Sequence, residues 1–226
     1  MRDDLCTITV SEIFEDNEGC PVCRMRNRLD ERFVDYILGP AVMEPDVRII
    51  SNERGYCREH LRQMMTRENR LALALLLQTH LDEIGKDIFK HKAKPATPKT
   101  AYKAARMIET CFICDRIEKS LQRFVDTIFR LYSTEKEFRQ TFASQQYLCL
   151  PHFELLTSNA KTAVSKKWRA QFNTECSRLA HNRLADLKEG IEQFISIFNY
   201  KTDKTKVDMD RAREAIEQTS VFLCGK

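Results

Sequence analysis

Eight residues of this chain are of types that ligate metal ions, and their spacing repeats. Cys20-Pro-Val-Cys23 is followed, after 33 intervening residues, by Cys57-Arg-Glu-His60. Cys111-Phe-Ile-Cys114 is followed, after 34, by Cys149-Leu-Pro-His152. The Cys-x-x-Cys pair recurs at an offset of 91 residues and the Cys-x-x-His pair at 92. Zinc takes four ligands at the corners of a tetrahedron, drawn from thiolate sulfur and imidazole nitrogen. A Cys-x-x-Cys pair offers two sulfurs from one tight turn, and a Cys-x-x-His pair completes the shell from a distant stretch. The spacing therefore predicts two Cys3His zinc sites. One is expected at Cys20, Cys23, Cys57 and His60, the other at Cys111, Cys114, Cys149 and His152.

An iron–sulfur cluster is the alternative cofactor, because thiolates and histidine also ligate iron. Redox-active thiols without metal are a third reading. The Cys-x-x-Cys of a thioredoxin-like enzyme belongs near a βαβ pattern, which is not evident here. No Cys-x-x-Cys-His run is present for haem attachment, and no G-x-S-x-G, phosphate-binding loop, dinucleotide fingerprint or H-E-x-x-H occurs. A closed four-ligand shell leaves no position for substrate or water. The expectation is thus a non-enzymatic, zinc-stabilised module that presents helix faces to a protein partner. A redox or metal sensor and a nucleic-acid-binding zinc protein are the alternatives.

The elements that must position these ligands read as helices. Only six Gly and six Pro occur in 226 residues, too few for the turns of a sandwich or barrel. Good helix formers dominate long stretches. Each Cys-x-x-Cys leads into a charged amphipathic stretch, Arg24 to Leu38 and Asp115 to Tyr132, that ends at a break, Gly39-Pro40 or Ser133-Thr134. Pro45 suits the first turn of a following helix. Gly19, Pro21 and Gly55 suit tight turns beside the ligands. If each pair opens a helix, the backbone N–H groups there stabilise thiolate, the metal-binding form. Leu77, Leu81, Ile84 and Ile88, and later Leu184, Leu187, Ile191, Phe194 and Phe198, form helical stripes read as core packing. The fold class predicted is all-α, two pseudo-repeated helical units packed in a bundle-like body.

The repeat sets the expected domains: 1–92 for the first zinc-binding unit, 93–100 for a linker, 101–200 for the second unit and 201–226 for a C-terminal extension. The linker expectation rests on the basic, proline-containing run Lys90 to Lys99. In the extension a helix is expected over about Asp208 to Leu223, with Gly225 as its stop.

Composition narrows the partners. A net charge of +4 is mild, and Arg24, Arg26, Arg28 and Arg32 are interleaved with Asp30, Glu31 and Asp35. That pattern describes a solvated helix face better than a nucleic-acid surface. The longest apolar run, Leu71 to Leu77, is far short of the roughly 20 residues that span a bilayer. No secretion signal is evident at Met1 to Cys6, so a cytoplasmic location and reduced thiols are expected. Cys6, Cys176 and Cys224 stand outside the ligand spacing, as do His80, His91 and His181.

The pattern Gly-Cys-Pro-x-Cys, a charged helix, then Gly-Tyr-Cys-x-x-His resembles a family of uncharacterised bacterial proteins that carry the paired motifs twice. The carriers are Gly19 to Cys23 and Gly55 to His60, and the resemblance covers about residues 10 to 200. The second copy departs from it: Cys111-Phe-Ile-Cys114 lacks the proline and Tyr147-Leu-Cys149 lacks the glycine. The resemblance implies the extent of the domain and the metal ligands, and no activity.

Overall fold

The structure, a computed structural model, describes residues 5–90, 95–199 and 207–225. It is all-helical: α1 (Leu5–Glu15), α2 (Pro21–Leu38), a 3-10 turn (Pro40–Met43), α3 (Pro45–Arg54), α4 (Arg58–Thr66), α5 (Arg70–Asp87), α6 (Pro98–Glu109), α7 (Phe112–Thr134), α8 (Lys136–Ala143), α9 (Leu150–Ala163), α10 (Arg169–Ile197) and α11 (Met209–Cys224). No strand occurs among the described residues. The charged stretches expected after each Cys-x-x-Cys are α2 and α7. Pro45 stands at the first position of α3, where its missing N–H is not needed. The helix expected near the C-terminus is α11, with Gly225 as its cap.

The chain forms two compact units. One comprises Met1–Asn27 and Gln122–Lys226, the other Arg28–Leu121. The sequence reading cut the chain at 93–100 instead. The structural boundaries fall inside α2 and α7, so the first copy of the motif does not fold as one continuous unit. Residues 93 and 94 of the expected linker lie outside the described residues. Pro98 already opens α6, whose start is fixed by a capping box between Thr97 and Thr100.

In the discontinuous unit, α10 packs along α11 and α9, and α1 packs on α8. An aromatic cluster fills its interior: Phe14, Phe129, Tyr132, Phe142 and Phe172 are all within 1% of full burial. The rings meet tilted or edge-on, with Tyr132 and Phe172 centroids 4.8 Å apart at 83°, the arrangement favoured by the ring quadrupoles. Trp168 lies outside this cluster, with the Arg139 guanidinium 3.9 Å from its ring centroid.

In the continuous unit, α5 packs on α3 and α4. Asn69 ties its start down twice: the Ala72 N–H donates to Asn69 Oδ1 at 3.1 Å, and Asn69 Nδ2 donates to the Leu38 carbonyl at 2.7 Å. Arg48 of α3 donates to the Leu75 carbonyl and the Thr79 hydroxyl of α5, both at 2.9 Å.

The apolar stripes depart from expectation. On α5 the buried positions are Ala72, Leu73 and Leu76, while Leu81 is 64% exposed. In the second half of α5, Leu81 thus faces solvent while Ile84 is half-buried. On α10, Leu187 is buried, whereas Leu184 and Phe198 are 53% and 77% exposed.

Candidate metal centres

All eight predicted ligands are brought into two groups, but with exchanged partners. Cys20 and Cys23 meet Cys149 and His152; Cys57 and His60 meet Cys111 and Cys114. In each group the four donor atoms lie within 4.8 Å of one another. The expected pairing of Cys20 and Cys23 with Cys57 and His60, and of Cys111 and Cys114 with Cys149 and His152, is therefore corrected. Each group lies wholly within one compact unit.

Within the continuous unit His60 is held by Asp30, its Nε2 2.9 Å from Asp30 Oδ1. Chain separation opposes the observed pairing only weakly. Lengthening a closed loop from 33 to 125 residues (Cys23 to Cys149, 149 − 23 − 1) costs about 1 kcal/mol more.

Every ligand pair sits at a helix start. Cys57 is the N-cap of α4 and Cys149 the N-cap of α9, with nearly the same backbone, φ −70° and ψ 163° against φ −71° and ψ 161°. Cys20 and Cys111 immediately precede α2 and α7, and their carbonyls accept the N–H groups of Arg24 and Asp115 at 3.1 and 3.0 Å. Two helix N-termini thus converge on each group, where free N–H groups and the dipoles favour negative sulfur.

The first group is deeply enclosed: Cys20, Cys23, Cys149 and His152 are each no more than 6% exposed. His152 Nδ1 lies 3.0, 3.3 and 3.5 Å from the sulfurs of Cys149, Cys23 and Cys20, and the Cys23 and Cys149 sulfurs are 3.6 Å apart. The second group is similar in size. His60 Nδ1 lies 3.1, 3.3 and 3.4 Å from the sulfurs of Cys57, Cys111 and Cys114, and Cys57 and Cys114 are 3.9 Å apart. Its burial is uneven: Cys111 and His60 are buried, whereas Cys57 and Cys114 are half-buried.

These distances suit one tetrahedral ion per group. Zinc–sulfur bonds of about 2.3 Å and zinc–nitrogen bonds of about 2.0–2.1 Å give tetrahedral edges of about 3.8 Å between sulfurs and about 3.5 Å between sulfur and nitrogen. The observed edges bracket the first value and reach the second. Both groups can hold a metal ion.

The thiols show what an ion would relieve. Burial alone would push Cys20 up, but hydrogen bonds from Cys149, Cys23 and His152 outweigh it and hold this thiol well below its ordinary value. Its neighbours move the other way. Cys23 is raised by its hydrogen bonds to Cys149 and Cys20 and by burial. Cys149 is pushed up to about 12, first by its hydrogen bond to Cys20. In the second group burial raises Cys111, and burial with the charges of Cys111 and Cys57 raises Cys114. Three crowded sulfurs share little negative charge without a cation among them; a bound cation reverses that balance.

Sequence reasoning did not find the supporting residues. The Asp30 carboxylate aligns the His60 ring so that Nδ1 faces the sulfurs, and Gln63 Nε2 in turn donates to Asp30 Oδ2 at 2.9 Å. Such a carboxylate–histidine pair fixes the tautomer and raises ligand basicity. Asp30 lies on a helix dense in charge, with nothing in its spacing to mark it. Around the first group, Arg24 knits the preceding loop by donating to the carbonyls of Ile13, Asp16 and Gly19 and to Gln145 Oε1. The Gly19 N–H donates to Gln146 Oε1 at 2.7 Å, next to the Cys149 turn.

The remaining described cysteines and histidines stay out of both groups. Cys176 is fully buried on α10, Cys6 is half-buried on α1 and Cys224 is exposed at the end of α11. His80 Nδ1 bonds the Asn52 carbonyl at 2.9 Å, and His181 is exposed on α10. His91 lies outside the described residues. No helix of the described residues is long and apolar enough to cross a membrane.

A protein-family sequence model described as a family of unknown function (DUF6062) matches residues 1–226. The chain is 24% identical over 198 residues to an "uncharacterized 23.9 kDa protein in xynA 3'region" of Caldicellulosiruptor sp. (strain Rt8B.4), an alignment covering 84% of this chain and 90% of that one. No solved structure gives a significant match.

Proposed function

Since the chain belongs to DUF6062, a family whose description assigns no reaction, we propose its function from the two sulfur–imidazole groups: a non-enzymatic helical module held together by two zinc ions and used for protein interaction. The observation that carries this reading is the tetrahedral spacing of four thiolate and imidazole donors in each group, every ligand pair at a helix start. When bound, zinc supplies a fixed cross-link between distant stretches and no redox change. Arg24, Asp30 and Gln63 contribute by holding loops and one imidazole in place.

Zinc is favoured over an iron–sulfur cluster because the donor atoms crowd around a single point. A cluster distributes its ligands over several irons, whereas donors within 4.8 Å of one another suit one ion. Thiolate ligands also call for a reducing compartment, on which we base a cytoplasmic location. The interaction role is supported by exposed apolar side chains, including Leu81 and Phe89 in one unit and Ile195 and Phe198 in the other.

The experiment is metal analysis of the untagged protein, followed by circular dichroism with and without a strong chelator. The expected result is two zinc ions per chain and a clear fall in helicity or melting temperature on their removal. Equimolar or greater iron with visible absorbance would favour the cluster. A fully folded, equally stable metal-free chain would remove the structural role.

A further inference from the structure

The two groups are chemically alike and differently enclosed. In the discontinuous unit all three sulfurs and the imidazole are buried. The C-terminal turn closes over them: the position of a Cβ on Gly225 lies 3.5 Å from Cys149 Sγ and 3.8 Å from His152 Cε1. In the continuous unit two of the three ligand cysteines, Cys57 and Cys114, are half-buried residues. They are 3.9 Å apart, on the N-termini of two different helices.

From this difference we propose that the continuous unit's site is the exchangeable one, open to soft chelators and thiol-reactive electrophiles, while the other is kinetically closed. The inference rests on the zinc reading above. A chelator must take the ion ligand by ligand, and an electrophile must reach a sulfur lone pair, so access to sulfur sets the rate in both cases. Cys57 and Cys114 grant that access; Cys20, Cys23 and Cys149 do not. The Asp30–His60 bond acts on a different quantity. It strengthens the imidazole ligand of the open site and so keeps the ion in place until a sulfur is attacked. A site that holds its ion well and exposes two of its thiolates is built to respond to reactive small molecules, whereas the enclosed site serves the fold.

The test uses the full-length, zinc-loaded protein and limiting iodoacetamide, with peptide mapping of each cysteine and native mass spectrometry of bound zinc over time. In the reaction a cysteine sulfur displaces iodide from the reagent, forms a carbon–sulfur bond and loses its hold on zinc. Exposed Cys224 is the fast internal reference and buried Cys176 the slow one. The expected result is modification of Cys57 and Cys114 at least about tenfold faster than of Cys20, Cys23 and Cys149, with one ion leaving as they react and the second retained. Equal rates for all ligand thiols, or faster reaction at Cys20, Cys23 or Cys149, would overturn the proposal and leave the zinc reading intact. A chain that carries and takes up no metal would remove both. A second measurement needs no alkylation. Chelator-driven zinc loss should be biphasic, with the fast phase absent from C57S/C114S and present in C20S/C23S. A fast phase that survives in C57S/C114S contradicts the assignment.

Discussion

Asp30 Oδ1 lies 2.9 Å from Nε2 of His60, on the side of the ring opposite the three thiols that face Nδ1. The carboxylate holds the proton on Nε2, which leaves the Nδ1 lone pair for the ion. No carboxylate does the same for His152 among the described residues. Asp30→Ala should therefore weaken zinc at the continuous unit's site by about 10- to 100-fold and leave the other site unchanged. Competition with a chromophoric chelator reads both affinities; equal loss at both sites would contradict the assignment. Gln63→Ala, which only loosens Asp30, should have the smaller effect in the same direction.

The exchanged pairing makes a stoichiometric prediction. Cys23 and Cys149 belong to one group, and Cys23 and Cys57 to different groups. The double variant C23S/C149S should retain one zinc ion per chain, because both changes strike the same site. The variant C23S/C57S should lose both. Native mass spectrometry counts the ions directly. The opposite result would restore the pairing that sequence proximity suggests.

That pairing marks the limit of what could be read in the sequence. The eight candidate ligands were legible because metal-ligand chemistry restricts residue type and because a helix start restricts local spacing; Cys57 and Cys149 even share their backbone angles. The all-helical class and α2, α3, α7 and α11 were legible from periodicity, proline and glycine. Which pair meets which was not, because a loop of 125 residues closes almost as readily as one of 33. Asp30 was invisible for the same reason: its role depends on a contact made 30 residues away in sequence. The stripe on α5 misled because periodicity shows that one face is apolar and does not show which positions the neighbouring helices cover.

Proton release should accompany metal loading. In the metal-free first group Cys20 is held low as the thiolate, while Cys23 and Cys149 are raised and carry protons at neutral pH. In the second group Cys111 and Cys114 are raised likewise. Zinc binds thiolate, so the protons on Cys23 and Cys149 must leave the first group and those on Cys111 and Cys114 the second, at least about four in all. The sign follows: the raised thiols favour the metal-free form as pH falls, and zinc affinity rises with pH below their values. Between about pH 6 and 8, apparent affinity at the first site should rise about 100-fold per pH unit, two protons being exchanged. Titration of metal-free protein with zinc in weak buffer, with a pH indicator, counts the protons. Release of fewer than about four in total would contradict the protonation pattern.

Gly55 and Gly19 both precede ligands in the left-handed region, at φ 65° and 66°, yet they should tolerate a side chain differently. A Cβ on Gly55 would lie 3.0 Å from His80 Cε1 and 3.5 Å from the Met107 carbonyl oxygen. On Gly19 its nearest neighbour is Tyr147 Oη at 3.6 Å, an ordinary contact. Gly19→Ala should then cost little beyond the strain of a left-handed alanine, about 1–2 kcal/mol. Gly55→Ala adds a displaced His80 ring, and it strains the residue whose carbonyl accepts the Phe112 N–H at 2.9 Å. That hydrogen bond joins the Cys57 turn to the Cys111 turn. The Gly55 variant should accordingly lose about 2–4 kcal/mol of stability and also bind zinc more weakly at the continuous unit's site. Chemical unfolding and chelator competition on the two variants measure both effects; a Gly55 variant no worse than the Gly19 variant in either would show that this turn does not hold the ligands in register.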